Sequence, residues 1–221
     1  LAKIPNVKIM ILTKNKIEKR SSKIKIFNSI NECIKEKPDA VIISNETSNH
    51  ISYAIKFANA GINLFVEKPL SNSLKNIKKI QDIIKKKHLI TQIGCQLRFH
   101  KCLKEIKSLL LKKRIGKVIS AKVESFLPDW HQNENYKKGY AAREDLGGGV
   151  LLTCIHEIDY LYWFFGNVEN VISITGQYGN LKISADDLSV GVLKFKNNIS
   201  GDMNIIPISK YGRNFSVIKV P

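Results

Sequence analysis

The chain has 221 residues, 43% of apolar types, and 36 Lys and Arg against 19 Asp and Glu, a formal charge of +17. That apolar share supports a sizeable core in one large or two smaller domains, and no apolar run reaches the roughly 20 residues of a membrane-spanning helix. The charge invites a nucleic-acid partner, yet only five basic residues are Arg (Arg20, Arg98, Arg114, Arg143 and Arg213), leaving 31 Lys. With no helix-turn-helix, zinc-finger or aromatic RNA-binding signature beside them, these charges read as a solvated Lys-rich surface, with no nucleic acid and no membrane as partner.

Taken in order, "VKIMIL" (7–12) and "KIKIF" (23–27) are strand candidates and "NSINECIKEK" (28–37) a short amphipathic helix. "DAVIIS" (39–44) is a buried strand. The helix that follows carries Ile51, Ala54, Ile55 and Ala58 at helical spacing and stops at Gly61. "INLFVE" (62–67) is the next strand, "SNSLKNIKKIQDIIKKK" (71–87) a second amphipathic helix with Lys at its C-terminal end, and "LITQIG" (89–94) another strand. Strands alternating with helices predict right-handed crossovers and a doubly wound parallel sheet, whose ligands lie beyond the carboxyl ends of the strands. That edge collects "SNET" (44–47), "EKP" (67–69) and "GCQLRFH" (94–100).

After a basic helix near residues 101–114 the pattern changes. Four longer strands with interleaved polar residues, 117–127, 168–178, 187–195 and 199–208, predict a mainly antiparallel open sheet in an α+β domain. Between the first two lie a polar loop and one apolar helix, "VLLTCIHEIDYLYWFFG" (150–166), preceded by three glycines. The expected division is residues 1–95 and 96–221. The opening "LAKIPNVKIM" has no initiator Met and no targeting pattern, and reads as a chain entered partway through a fold. Cys33, Cys95, Cys102 and Cys154 have no CxxC pairing, which fits reduced thiols in the cytoplasm.

Two constellations could carry chemistry. At "EKP" the proline restricts Lys68 to an extended conformation. A lysine there can polarise a hydroxyl, and can deprotonate it where burial or a nearby cation lowers its pKa from about 10.4. Read alone, the tripeptide equally describes a solvated Glu and Lys before a helix-starting Pro. In the second constellation, the glycine run allows close approach and leaves free N–H groups at a helix start. On the helix Thr153, His156, Asp159 and Trp163 share a face. His156 suits proton relay with Asp159 orienting or charge-balancing it, and a buried structural histidine is the other reading. Cys154 and His156 lack a second close-spaced ligand pair, so no metal is expected.

Together, "PDAVIISNETSNHISYAIKFANAGINLFVEKPLS", "QIGCQLRFH", "IGKVISAKVE" and "GGGVLLTCIHEIDYLYWFFG" resemble the glucose-fructose oxidoreductase and inositol dehydrogenase family (Gfo/Idh/MocA). The resemblance implies a Rossmann-like domain followed by an α+β domain. It also implies NAD(P)-dependent hydride transfer between nicotinamide C4 and a carbon of a sugar, sugar derivative or cyclic polyol. By resemblance Lys68 lies at the reacting hydroxyl and His156 is its acid-base partner. Ser44, Asn45, Thr47, His50, Glu67, Lys68 and Gln96 fall in segments that touch the cofactor, and Arg98, Trp130, Thr153, His156 and Asp159 in segments that touch substrate. "LPDWH" and "YAARED" look most like members acting on surface-glycan sugars, and members usually form dimers or tetramers through the second sheet.

Three departures stand out. No GxGxxG occurs and the earliest glycine is Gly61, so the first βα unit and its pyrophosphate turn are expected to be missing from this chain. Thr153 stands where members usually carry an aspartate, and the chain stops before the family's last strands; a catalytically degenerate homologue that binds a sugar or a partner is the rival reading. The strand ending "ILTKNK" lacks the acid that holds an NAD ribose, while Thr13, Lys14 and Lys16 could accept a 2′-phosphate, favouring NADP over NAD. A solvated Lys run is the other account of that stretch.

Overall fold

The computed structural model describes residues 4–14, 24–126 and 135–206. Strands β1 (Met10–Leu12) and β2 (Lys25–Phe27) form a parallel pair. Strands β3 (Ala40–Ile43), β4 (Asn63–Val66) and β5 (Thr91–Ile93) form a second parallel sheet in the order β3-β4-β5. Helices α1 (Ile30–Lys35), α2 (His50–Asn59) and α3 (Ile77–Lys87) connect them. Ala54, Phe57 and Ala58 of α2 pack on Ile43, Leu64 and Val66 of the sheet, with Ile80 of α3 closing the same cluster. Phe57 is 1% exposed, and burying a side chain of that size contributes about 1.5–3 kcal/mol. On the opposite sheet face Ile42 stays half exposed. Helix α3 begins later than its periodicity predicts, because Asn76 takes a left-handed backbone (φ 64°) immediately before it.

Helix α4 (Lys101–Leu111) leads into a four-stranded sheet of β6 (Ser120–Phe126), β7 (Val168–Gly176), β8 (Leu188–Phe195) and β9 (Ser200–Ile206), ordered β6-β9-β8-β7. Pairs β7–β8 and β8–β9 are antiparallel as predicted, but β6 runs parallel to β9. The predicted apolar helix is two: α5 (Val150–Thr153) ends at Cys154 (φ −99°, ψ 32°) and α6 (His156–Phe165) restarts two residues later. Leu161, Phe164 and Phe165 of α6 bury against Ala121, Val123, Leu193 and Phe195 of the sheet, separately from the first core. Among the described residues, no helix is long and apolar enough to cross a membrane.

Candidate active site

The register of the parallel sheet pairs Ile43, Val66 and Ile93, so the three predicted segments leave it at one edge. Backbone bonds extend that ladder one step, from Glu67 N to Ile43 O and from Gly94 N to Val66 O. Glu67 turns back to accept from the Lys68 backbone N–H (3.0 Å), and the Lys68–Pro69 peptide is cis. Facing this edge is the α5–α6 junction. A helix end leaves carbonyls without intrahelical partners, and the break after Thr153 frees one: Lys68 Nζ donates to Thr153 O at 2.8 Å, tying the two halves together.

His156 stands first in α6, its Nε2 3.2 Å from Gln96 Nε2. Burial foremost, then the Lys68 ammonium, hold its pKa below the usual 6.5, against the opposing charges of Asp159 and Glu67. Its Nδ1, Thr153 Oγ1 and Glu157 Oε2 are buried without partners, a costly state that a bound ligand's polar groups would relieve. Lys68, His156, Gln96 and Thr153 are therefore brought together.

Other expectations are corrected. Asp159 acts on His156 through its charge and not through a bond; its carboxylate takes two bonds from Arg98, Nε–Oδ2 at 2.8 Å and Nη2–Oδ1 at 2.6 Å. That pairing occupies the guanidinium fork assigned to substrate. His50 is 1% exposed, its Nδ1 2.8 Å from Pro69 O and its Nε2 3.0 Å from Asn45 O. The ring is enclosed between these two carbonyls, one of which accepts its N–H, and so joins the turn after β3 to the loop after β4 instead of facing the open edge. Thr47 is likewise buried, at 2% exposure, where a Cβ on Gly147 would meet its own Cβ at 2.9 Å. The glycine run offers no free N–H cradle. Gly148 N donates to Arg143 O, Gly149 N to Ala141 O, Val150 N to Asp186 O and Leu151 N to Asp186 Oδ2. Its glycines serve close packing instead: an added Cβ at Gly149, whose φ is 108°, overlaps Asp186 Oδ1.

Ser44 and Asn45 lie exposed just past β3. Thr13 and Lys14, past β1, line a cleft of about 210 Å³ with Asn28, Ile30, Tyr53 and Lys56. Trp130 and Lys16 lie outside the described residues.

Three residues went unrecognised in the sequence. Tyr140 has its phenol pushed up in pKa by burial and then by Glu67 and Cys154, which places it beside the edge; its position within "YAARED" was the available signal. Glu157, next in sequence to His156, is raised in pKa by burial despite the Ser125 hydroxyl bonded to it and the Lys68 charge. Asp186 caps α5 from 35 residues away, with no local signal at all. Burial pushes the thiols of Cys95 up to about 11 and Cys154 up to about 12, so neither is a nucleophile at neutral pH. Among the described residues no three His, Cys, Asp or Glu side chains are placed to hold a metal ion.

Comparison with known proteins agrees with this architecture. A family model described as "Oxidoreductase family, NAD-binding Rossmann fold" matches residues 7–95, and one described as "GFO/IDH/MocA C-terminal domain" matches residues 103–218. The scyllo-inositol 2-dehydrogenase (NAD(+)) of Bacillus subtilis is 28% identical over 190 residues, covering 80% of this chain and 51% of that protein. Oxidoreductase P35 of Formosa agariphila is 31% identical, covering 75% and 52%. The WlbA dehydrogenase of Bordetella pertussis, solved with NADH and UDP-GlcNAcA, superposes with a TM-score of 0.78 at 22% identity over 88% of this chain and 56% of that one, a likeness of fold. The chain spans about half the length of the curated relatives it matches. Two consecutive matches in family order, with a lysine from the sheet edge meeting the α5–α6 junction, place the chain in the GFO/IDH/MocA oxidoreductase family.

Proposed function

We propose that the protein is a nicotinamide-dependent oxidoreductase acting between a hydroxyl and a keto carbon of a sugar, sugar derivative or cyclic polyol, with the halves divided at residues 95 and 96. The single observation that carries this reading is the bond from Lys68 Nζ to Thr153 O, which sets the sheet-edge lysine at the helix junction that bears His156, close enough for its charge to act on the imidazole. Glu67, Lys68 and Gln96, past the strands of the three-stranded sheet, would hold the nicotinamide end of a dinucleotide, and the cleft of Thr13, Lys14, Tyr53 and Lys56, past β1 of the two-stranded sheet, the adenosine end. When bound, the nicotinamide supplies the hydride acceptor or donor. The Lys68 ammonium stabilises negative charge on the reacting oxygen, and His156 exchanges its proton. Thr153 Oγ1, buried without a partner, is a recognition group for a further substrate hydroxyl.

Finer assignments rest on local chemistry. Lys14 and Lys56 in a cleft with no acidic lining residue among the described residues favour a 2′-phosphate and hence NADP, although the B. subtilis relative is named for NAD(+) and the WlbA structure holds NADH. Self-association is assigned to the outer sheet face. There the register aligns Ile172 with Val192, and Ile172, Ile174 and Val192 are 77%, 57% and 45% exposed. Lys194–Glu169 and Lys122–Glu124 pairs on these strands offer both signs to a two-fold copy. A cytoplasmic setting is supported by four cysteines that are all free. The test is a dinucleotide-reduction screen of the protein against sugars, nucleotide sugars and inositols with both NAD and NADP, run beside Lys68→Ala. Turnover that disappears in the variant while dinucleotide still binds supports the reading, and turnover retained in Lys68→Ala refutes it.

A further inference from the structure

The turn that carries Gln96 is fastened twice. Its backbone is fixed by Gln96 N donating to Gly94 O (2.9 Å) and Arg98 N to Cys95 O (3.2 Å). Two residues beyond Gln96, the Arg98 guanidinium grips Asp159 with two bonds in a part-buried setting. Asp159 lies one helical turn past His156. A two-point Arg–carboxylate clamp therefore presses this turn against the helix bearing the histidine, and Gln96 reaches the imidazole as a consequence.

The contact has a direction. With its carboxamide nitrogen toward the ring, 3.2 Å from His156 Nε2, Gln96 donates and the imidazole supplies the lone pair. A neutral imidazole has one N–H, which then lies on Nδ1, the buried nitrogen without a partner. We propose that Gln96, held to α6 by the Arg98–Asp159 clamp, is a positioning residue that sets the tautomer of His156, keeping the Nε2 lone pair toward the cleft as the acceptor for a substrate hydroxyl proton. The amide N–H stands where that hydroxyl would donate.

This deepens the dehydrogenase reading and rests on it for its catalytic consequence. In alcohol oxidation the substrate O–H bond breaks and its proton goes to Nε2, giving an imidazolium with both nitrogens protonated. The C–H pair leaves as hydride to an oxidised nicotinamide dinucleotide, and the carbon–oxygen bond becomes a carbonyl. A ring protonated on Nε2 would instead meet the hydroxyl with a donor and block the transfer. The charges facing the imidazole are Lys68 and Glu67 from the sheet edge and Asp159 from its own helix. Lys68 disfavours a second ring proton, and its ammonium is kept off Nε2 by its bond to Thr153 O. Arg98 and Asp159, expected to touch substrate, become the clamp that makes this geometry possible.

The experiment is two-bond proton–nitrogen correlation spectroscopy of the protein labelled with nitrogen-15 histidine. The chain has five histidines, and a His156→Asn spectrum identifies the relevant signals. Wild type is expected to show neutral His156 protonated on Nδ1, without added substrate or dinucleotide. Gln96→Glu replaces the donor by an acceptor; it should move the proton to Nε2 and raise proton affinity about tenfold. Gln96→Met should give a mixture of tautomers and lower kcat for alcohol oxidation about fivefold. Arg98→Lys should give the same mixture. An Nε2-protonated ring in wild type overturns the proposal, as does a Gln96→Met variant whose tautomer is unchanged. Because the wild-type spectrum needs no turnover, the tautomer assignment and the enzyme reading can fail separately.

Discussion

Replacing Gly149 by Ala should cost far more than replacing Gly61 by Ala, although both glycines have positive φ, 108° and 80°. At Gly61 an added Cβ meets nothing within 4 Å, so only backbone strain of about 1 kcal/mol remains. At Gly149 the backbone (φ 108°, ψ 154°) is one that only glycine occupies readily, a penalty of roughly 1–3 kcal/mol. The new Cβ also overlaps Asp186 Oδ1 and comes within 2.7 Å of its Cγ. The carboxylate must withdraw, and the 2.9 Å bond from Leu151 N to Oδ2 goes with it, a further loss of about 1.5–3 kcal/mol for a hydrogen bond to a charged group. The total of roughly 2.5–6 kcal/mol would remove about two fifths of a typical domain's stability. At about 2–4 °C per kcal/mol for a chain of this size, thermal unfolding should show Tm lowered by on the order of 10 °C for Gly149→Ala and by about 3 °C for Gly61→Ala. Equal shifts in the two variants would refute the argument that the glycine run exists to admit Asp186.

Glu157 supplies a test of pH dependence. Burial raises its pKa above the ordinary 4.5, so the folded chain holds this proton more tightly than the unfolded one, and folding stability falls as pH rises from 4.5 through the raised value. Glu157→Gln removes that penalty: its Tm should exceed wild type at about pH 8 and show no gain at about pH 4, and a gain at the acid end instead would sink the assignment. His156→Ala should lose at least about a hundredfold in turnover with Tm little changed, whereas a collapse in Tm would make His156 a structural residue. Its lowered pKa also puts the acid limb of alcohol oxidation below pH 6.5, because the base must be unprotonated and stays so to lower pH; a limb above 6.5 would contradict the site. Ile172→Lys should convert an oligomer to monomer in light scattering with activity per chain to be compared directly, and an unaltered mass would move the interface elsewhere.

What the sequence showed and what it hid separate by the range of the interactions. The helix ending at Gly61 and the strands Ala40–Ile43 and Asn63–Val66 were legible because their apolar spacing and caps are local. Once parallel pairing was inferred, the gathering of Glu67, Lys68 and Gln96 at one edge followed from register alone. The helix break after Thr153 was not legible, since apolar periodicity runs straight through Cys154 and Ile155. The parallel pairing of β6 with β9 joins residues 80 apart, Ser120 with Ser200, and no local pattern encodes it. For the same reason the role of the glycine run was misread: its N–H groups looked free because Asp186 and the Ala141 carbonyl reach them only in the folded chain. His50 was misplaced at the cofactor because its sequence position says nothing of the two carbonyls that enclose it.

Lys68 is anchored by a main-chain oxygen of Thr153, an acceptor present whichever side chain occupies the position. If Thr153 Oγ1 meets substrate as proposed, changes of side chain there would retune which molecules are admitted while the cation keeps its station. Selectivity and reactivity would then converge on one residue but draw on different atoms of it, so either could drift without dragging the other along.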